Sequence, residues 1–267
     1  DHNKIFDLYI NRPNQIVGLF GFIGNYNNDT LIENIVLQNI EFIGGSTGIG
    51  LETIRLVQHD YNVYVASRNK ENLKGLNINH IQYDATASDF NNELIPEELH
   101  GFVYLPGSIN LRPFRSLKST TFEEDLNINF LFMVKILQKV INNLKKSGNS
   151  SIVLYSTVAV KVGMPFHTSV SASKGAIEGF ARSLAAEYAP GIRVNVIAPS
   201  LTDTPMASRF LNNDLKKEKV GERHPLKRCG SPVDIANSTA FLLSDKSSWV
   251  TGQTFGVDGG MSIINLG

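Results

Sequence analysis

Residues 40–50 read IEFIGGSTGIG, and this stretch decides the fold. It begins with apolar residues typical of a short buried strand, continues through a run rich in glycine, and leads into the apolar periodicity of a helix. Glycine permits a sharp turn and a close backbone approach, and the N-terminus of the following helix offers unpaired N–H groups to an anion. A glycine-rich loop without a ligand is the alternative. The stretch predicts a phosphate-binding corner with contacts from Gly44, Ser46, Thr47, Gly48, Ile49 and Gly50.

Strand and helix patterns alternate along the rest of the chain. Helical patterns cover residues 120–144, which open with a Thr120/Glu123 capping box, and the Ala-rich segment 168–188, and a further helix starts at Ser231. Such alternation predicts an α/β fold, in which a parallel sheet is covered by helices on both faces and a ligand binds beyond the carboxyl ends of the strands. Stretches typical of strands lie at 62–66, 79–83, 101–105, 151–155, 193–197 and 254–257.

The composition favours one large domain that binds a small molecule. The chain has 267 residues, and its 25 basic and 25 acidic side chains cancel, so nothing indicates nucleic acid or an anionic membrane as a partner. The one cysteine, Cys229, excludes an internal disulfide and a multi-thiolate metal site. We expect no metal, no membrane span and a cytoplasmic location. Residues 1–39 do not share the alternation, so we expect an appended segment, β-rich or disordered, before a domain at 40–267.

Landmarks along residues 40–267 occur in a family's order and near its usual spacing. They include the glycine turn, Asp84 after the third strand, Gly107 after the fourth, and an Asn-Val-Ile-Ala-Pro run that ends at Pro199. In these landmarks the chain resembles the short-chain dehydrogenase/reductase (SDR) family. The resemblance implies a Rossmann-type doubly wound parallel sheet of about seven strands that binds a nicotinamide dinucleotide. It also implies a homodimer or homotetramer paired through the two long helices.

The end of the second strand favours NADP(H) over NAD(H) as the cofactor. A protein that binds NAD places a carboxylate there for the ribose hydroxyls, whereas a ribose phosphate needs a cation. This chain has Ser67 and Arg68 and no acid at the strand end. A solvated surface arginine is the alternative. Asp84 resembles the family residue that binds the adenine amino group, and it equally fits a cap for the segment that starts at Thr86. Gly107 resembles the glycine beneath the adenosine ribose.

The resemblance implies hydride transfer between the nicotinamide and a carbonyl carbon. In the family, a Tyr phenol gives a proton to the carbonyl oxygen, and a Lys lowers the pKa of that phenol and binds the nicotinamide ribose. A Ser polarises the carbonyl, and an Asn holds a water. Here the Asn is Asn129, the Lys is Lys174, and the Ser position falls on Thr157. The Tyr position, four residues before the lysine, is Val170, which cannot transfer a proton.

A substitute for the phenol is His167, seven residues before Lys174, where the enoyl reductase branch of the family places its tyrosine. An imidazolium can donate a proton. The alternative is a loop histidine that lines the pocket or caps the next helix. Ser171 and Tyr155 are weaker candidates, because a serine is a poor acid and Tyr155 is expected along the fifth strand.

The chain after the sixth strand is expected to close the pocket. Pro199 ends a run typical of the family, and Thr204 resembles the family residue that binds the carboxamide or the pyrophosphate. Thr204 also fits a cap for a helix near Met206. Residues 206–224 resemble the segment that sets substrate specificity in the family. We therefore expect an NADP(H)-dependent oxidoreductase that acts on a carbonyl/alcohol pair or an activated double bond of a small molecule. Val170 keeps a second hypothesis open, a catalytically impaired NADP(H)-binding protein that acts as a sensor or scaffold.

Overall fold

The computed structural model describes residues 38–86 and 89–265 of the chain. The expected appended segment, residues 1–39, lies outside the described residues except for its last two. Of these two, Asn39 begins the first strand, one residue before the predicted boundary at Ile40.

The described residues contain a seven-stranded parallel sheet, as predicted. Its strand order is β3-β2-β1-β4-β5-β6-β7, so the sheet grows outward from β1 in both directions. That order gives a doubly wound, Rossmann-type sheet whose strand ends diverge near β1 and leave a crevice there. The strands are β1 (Asn39–Ile43), β2 (Asn62–Ser67), β3 (Ile78–Gln82), β4 (Gly101–Tyr104), β5 (Ser150–Tyr155), β6 (Ile192–Pro199) and β7 (Thr254–Val257).

Helices cover both faces of the sheet because the central strands are apolar on both sides. Strands β4 and β5 are buried along their whole length, which is typical of a parallel sheet between two helical layers. One core contains side chains of α3 and α5, and the other contains side chains of α1 and α7. The helices are α1 (Gly48–Val57), α2 (Ser119–Leu126), α3 (Phe132–Lys146), α4 (Val158–Lys161), α5 (Thr168–Tyr188), α6 (Asp214–Gly221) and α7 (Pro232–Leu243).

The long helix predicted at 120–144 is divided into α2 and α3 by a π-helical turn at Asn127–Leu131. The predicted Thr120/Glu123 capping box is wrong, because the N-cap is Lys118 and no side chain caps this helix. The π turn contains the buried Asn129. A π turn inserts an extra residue into the helix and is often found at functional sites. Hydrophobic periodicity does not distinguish such a turn from a continuous helix.

Two other predicted helices agree with the structure. Helix α5 has the predicted bounds, and α7 begins after Ser231, whose hydroxyl accepts from the Asp234 backbone while the Asp234 carboxylate accepts from the Ser231 backbone. In residues 38–86 and 89–265, no helix combines the length and apolar composition needed to cross a bilayer.

One acidic residue lies inside the sheet. Glu41 of β1 is fully buried, and neither of its carboxyl oxygens hydrogen bonds to a described residue. Its neighbours in the sheet register are Tyr64 of β2 and Phe102 of β4. Burial raises the pKa of Glu41 well above its usual range, because water no longer solvates the charge. The carboxyl group therefore lowers the free energy of unfolding.

We predict that Glu41→Val stabilises the protein at neutral pH by about 1–3 kcal/mol, because it removes a buried carboxyl group whose oxygens make no hydrogen bond to a described residue. Since the folded-state pKa is raised, the ionisation penalty is absent below the unfolded pKa of about 4.3 and grows as the pH rises toward the folded value. Denaturant unfolding at about pH 5 and about pH 7 measures both effects. Glu41→Gln is the matched control, since it stays polar but cannot ionise. Equal pH dependence in wild type and Glu41→Gln would contradict the assignment.

Candidate active site

A cleft of about 760 Å³ runs along the carboxyl ends of the strands. It is bounded by the loops after β1, β2, β4, β5 and β6 and by the start of α5. All but one of the predicted site residues line it. The exception, Asn129, is fully buried behind the cleft wall. The residues brought together are Gly44, Ser46, Thr47, Gly48, Ile49, Gly50, Ser67, Arg68, Asp84, Gly107, Thr157, His167, Lys174, Pro199 and Thr204.

The turn between β1 and α1 brings backbone closer to backbone than side chains would allow. Gly44, Gly45 and Gly48 have φ angles of 84°, 98° and 57°, in the left-handed region that favours glycine. A Cβ on Gly50 would lie 2.5 Å from the Cα of Gly45, a glycine that the sequence interpretation did not assign to the site. The Thr47 side chain does not cap α1, so its first N–H groups face the cleft without a side-chain acceptor.

The loop after β4 packs on this glycine turn. A Cβ on Gly44 would lie 3.2 Å from the Leu105 Cβ and 3.3 Å from the Pro106 Cδ. Tyr104 donates from its hydroxyl to the Ile128 carbonyl at 2.7 Å, which ties β4 to the π turn. Apolar packing and one phenol hydrogen bond thus hold the loop after β4 in place.

The ends of β2 and β3 form the outer part of the cleft. The Ser67 hydroxyl, predicted to face a phosphate, is buried and instead donates to the Asn69 carbonyl at 3.1 Å. Arg68 is exposed at the rim. Asp84 accepts from the Thr86 backbone N–H and hydroxyl, at 2.9 and 2.7 Å, and these hydrogen bonds, the backbone bond first, lower the pKa of the carboxyl. These two bonds close a turn at Thr86, and the predicted start of a helix at 86–88 lies partly outside the described residues.

Lys174 lies at the opposite end of the cleft, and its Nζ donates to the Tyr155 carbonyl at 3.0 Å. Burial lowers the pKa of Lys174 to about 8, and the negative charge of Asp125 opposes the shift. Gly107 passes close by, because a Cβ there would lie 3.5 Å from this Nζ and 3.0 Å from the Asn129 Oδ1. Val170, one turn before the lysine, forms part of the cleft wall.

The remaining proton-donor candidates occupy different environments. The His167 Nδ1 donates to the Pro165 carbonyl at 2.7 Å, and its Nε2 makes no hydrogen bond to a described residue. The histidine lines the cleft and does not cap α5 with its side chain. The Tyr155 phenol bonds to the Thr239 hydroxyl at 2.7 Å inside the core, and the Ser171 hydroxyl donates to the Ala159 carbonyl at 3.2 Å. Of these candidates, His167 alone presents a polar atom at the cleft that makes no hydrogen bond to a described residue.

Two threonine hydroxyl groups line the cleft, one after β5 and one after β6. The Thr157 Oγ1 accepts from the Ala159 N–H at 3.3 Å, which leaves its O–H free to donate. The Thr204 Oγ1 accepts from the Ala207 N–H at 3.3 Å, so its predicted capping role is present. The Thr204 side chain also packs on the glycine turn, 3.3 Å from where a Cβ on Gly48 would lie.

Two buried polar residues, His224 at the cleft and Asp125 outside its lining, were missed by the sequence interpretation. The buried His224 bonds to the Ser200 hydroxyl through Nε2 at 2.8 Å and to the Val220 carbonyl through Nδ1 at 2.9 Å. It therefore ties the end of residues 206–224 to the residue that follows β6. Asp125 is buried between α2 and α5. The sequence signal that could have identified Asp125 is an acidic residue on the face of α2 that is buried, because a buried acid normally has a partner.

A family model described as enoyl-(acyl carrier protein) reductase matches residues 47–262, which include the end of the glycine turn from Thr47, Lys174 and residues 206–224. The chain belongs to the SDR family. SDR relatives include a 3-oxoacyl-[acyl-carrier-protein] reductase of Staphylococcus epidermidis, 30% identical over 82% of this chain and 96% of the relative. A 2,5-dichloro-2,5-cyclohexadiene-1,4-diol dehydrogenase of Sphingobium indicum is 31% identical over 85% of this chain and 98% of the relative.

The SDR fold is also found in solved structures. The structure of ElxO with NADP bound has a TM-score of 0.77 and 24% identity, and the match covers 85% of this chain and 99% of that one. At that identity the likeness shows the fold alone.

The residues of this SDR chain fit a dinucleotide. The glycine turn leaves a concavity that a Cβ would fill, and the uncapped α1 N-terminus suits a diphosphate. The exposed Arg68 suits an anion at the adenosine end. In the described part of the chain, no three His, Cys, Asp or Glu side chains form a group that could hold a metal ion.

We predict that Gly50→Ala lowers NADPH affinity at least about tenfold, because the added methyl group pushes the turn at Gly45 away from the diphosphate position. Calorimetric titration measures the affinity, and thermal unfolding reports any loss of stability. Gly179→Ala is the matched control, since it adds the same methyl group to α5 in open space. An affinity of Gly50→Ala equal to that of the control would count against the assigned diphosphate site.

Proposed function

We propose that this SDR protein is an NADP(H)-dependent oxidoreductase that transfers hydride between the nicotinamide and a carbonyl/alcohol pair or an activated double bond of a small molecule. The observation that carries the proposal is the joint presence, in one cleft, of the glycine turn and of Lys174 with Thr157. A bound dinucleotide supplies the hydride. The chain's own groups bind the two ends of that cofactor and orient the substrate oxygen.

The preference for NADP(H) rests on Arg68. Its guanidinium is at the rim beyond the end of β2, beside the region where an adenosine ribose would extend from the glycine turn. A guanidinium can hold a phosphate with two parallel hydrogen bonds. Ser67 adds nothing to this site, because its hydroxyl is directed into the protein.

At the reacting end, Thr157 is proposed to donate its O–H to the substrate oxygen, and Lys174 to hold the nicotinamide ribose. Val170 stands where the family pattern has tyrosine, so the proton must come from another group. We assign it to His167, because its Nε2 is free at the cleft and an imidazolium is an adequate acid near neutral pH. We assign Asn129 a positioning role, without contact to the substrate, because that residue is fully buried.

The substrate end of the cleft is mostly apolar. Met164 and Phe166 precede His167 in the chain and line the cleft, as do Met206 and Phe210 after β6. We propose a substrate whose carbonyl or alkene carries an apolar substituent, because these side chains offer contact area and no charge.

A second candidate function is that of an NADP(H)-binding protein without catalysis, acting as a sensor or scaffold. Val170 favours it, because a valine on the cleft wall cannot serve as a proton donor, while the glycine turn and Arg68 are present in the same cleft. The expected homodimer or homotetramer and the cytoplasmic location stay predictions.

We predict that wild type oxidises NADPH with members of a panel of apolar ketones, aldehydes and enoyl thioesters. His167→Gln should lower kcat about 10²–10⁴-fold with little change in NADPH affinity, since it removes an acid and keeps a polar side chain. Stopped-flow absorbance of NADPH measures the transfer. Val170→Tyr separates the two functions. Activity that appears only in this variant, with NADPH binding unchanged, would support the binding protein instead.

We predict that Arg68→Ala weakens NADPH binding about 10–100-fold and leaves NADH binding within about threefold, because a charge-assisted hydrogen bond contributes about 1.5–3 kcal/mol. Calorimetric titration with both cofactors gives the ratio. Lys70→Ala, an exposed cation two residues further along the loop, is the control. Equal losses for both cofactors would overturn the assignment of Arg68 to the phosphate.

A further inference from the structure

A polar seam joins α2 and its π turn to α5. Asp125 and Asn129 lie four residues apart on one side, and Ser169 and Ser173 lie four residues apart on the other. The Ser169 hydroxyl donates to the Asp125 Oδ2 at 2.6 Å, and the Asn129 Nδ2 donates to the Ser173 Oγ at 3.1 Å. All four residues are at most 2% exposed. The seam is therefore withdrawn from water. Charges in such a buried place are screened less than charges at the surface.

The loop after β4 completes the seam. The Ser108 hydroxyl and the Asn110 Nδ2 both donate to the Asp125 Oδ1, the latter at 2.7 Å. The Ser108 Oγ also accepts from the Asn129 Nδ2 at 3.0 Å, and the Ser108 N–H donates to the Asn129 Oδ1 at 3.2 Å. Asp125 thus accepts three side-chain hydrogen bonds, an arrangement suited to an ionised carboxylate, which only accepts.

The seam stands directly behind the reacting end of the cleft. Val170 and Lys174, which line the cleft, each follow a seam serine by one residue. The Gly107 backbone separates the two regions, with its Cβ position 3.0 Å from the Asn129 Oδ1 and 3.5 Å from the Lys174 Nζ. A fixed negative charge behind this wall acts on the lysine ammonium through protein rather than through water.

The other titratable groups on the elements around Lys174 have partners or positions of their own. Glu178, one turn further along α5, accepts a hydrogen bond from the Ser156 hydroxyl at 2.5 Å. The Tyr155 phenol points into the core toward Thr239, and His167 lies at the start of α5. Burial lowers the pKa of Lys174 to about 8, and the opposing charge is that of Asp125.

We propose that Asp125 is a positioning residue of this active site, whose buried carboxylate keeps the Lys174 ammonium charged and holds Asn129 in place through Ser108. The inference rests on the proposed function, because it gives Lys174 its place at the nicotinamide end. Val170 offers no phenolate to pair with the Lys174 ammonium. The countercharge is therefore that of Asp125, on the far side of the Gly107 backbone. Asp125 touches neither cofactor nor substrate and acts through the lysine.

The direct test is a carbon-13 NMR titration of the lysine Cε signals in the cofactor-free protein, with Lys174→Arg to assign the signal. Asp125→Asn should move the Lys174 midpoint to lower pH by at least about half a unit, because an opposing charge is lost. Glu178→Gln, the matched control, should move it less. A folded Asp125→Asn protein with an unchanged midpoint, or a larger shift in the control, would refute the proposal.

Two further measurements keep the test decisive. If Asp125→Asn does not fold, the wild-type midpoint still decides, because a value below about 7 would mean that the carboxylate does not hold the charge. Where NADPH binds, its affinity should fall with rising pH, and Asp125→Asn should move that fall to lower pH by the same amount as the NMR midpoint. Absence of turnover in wild type would end the proposed function and leave the NMR result standing.

Discussion

The close contact of backbone with backbone at Gly45 and Gly50 is the constraint on which the site depends. The Cβ position of Gly50, 2.5 Å from the Cα of Gly45, leaves no room for a side chain at Gly50, and the φ of 98° disfavours one at Gly45. Because this contact seats the start of α1 against the end of β1, the first N–H groups of the helix face the crevice of the sheet. The cleft exists because α1 begins close to the carboxyl ends of the strands.

Much of the fold could be predicted from the sequence, because local patterns encode it. The glycine turn, the apolar strands and the Ala-rich α5 are local signals, and each predicts its element with errors of two residues at most. The π turn at Asn127–Leu131 was missed because the extra residue of a π turn leaves no mark on a short stretch of apolar periodicity. The inward rotation of the Ser67 hydroxyl depends on Asn69 and His80, which only the fold brings near it.

The candidate site divides in the same way. The proposed cofactor end is formed in part by consecutive residues after β1 and β2, so a local pattern could suggest that part. Its reacting end is assembled from the loop after β4, the π turn and α5, and the role of Asp125 depends on contacts more than 40 residues apart in sequence, such as that with Ser169. A single sequence shows an acidic residue in a helix. It does not show that three hydroxyl and amide donors surround the carboxylate.

Two buried carboxyl groups illustrate how the surroundings decide the energetic effect of a charge. Glu41 has no hydrogen-bond partner among the described residues, so its burial costs stability. Asp125, equally buried, accepts three hydrogen bonds and lies near a cation, so the polar groups of the fold replace the water that it lost. A carboxylate is kept inside a protein at low cost where it holds a second charge in place. Lys174 is that charge here, and its position at the cleft connects the seam to the chemistry of the site.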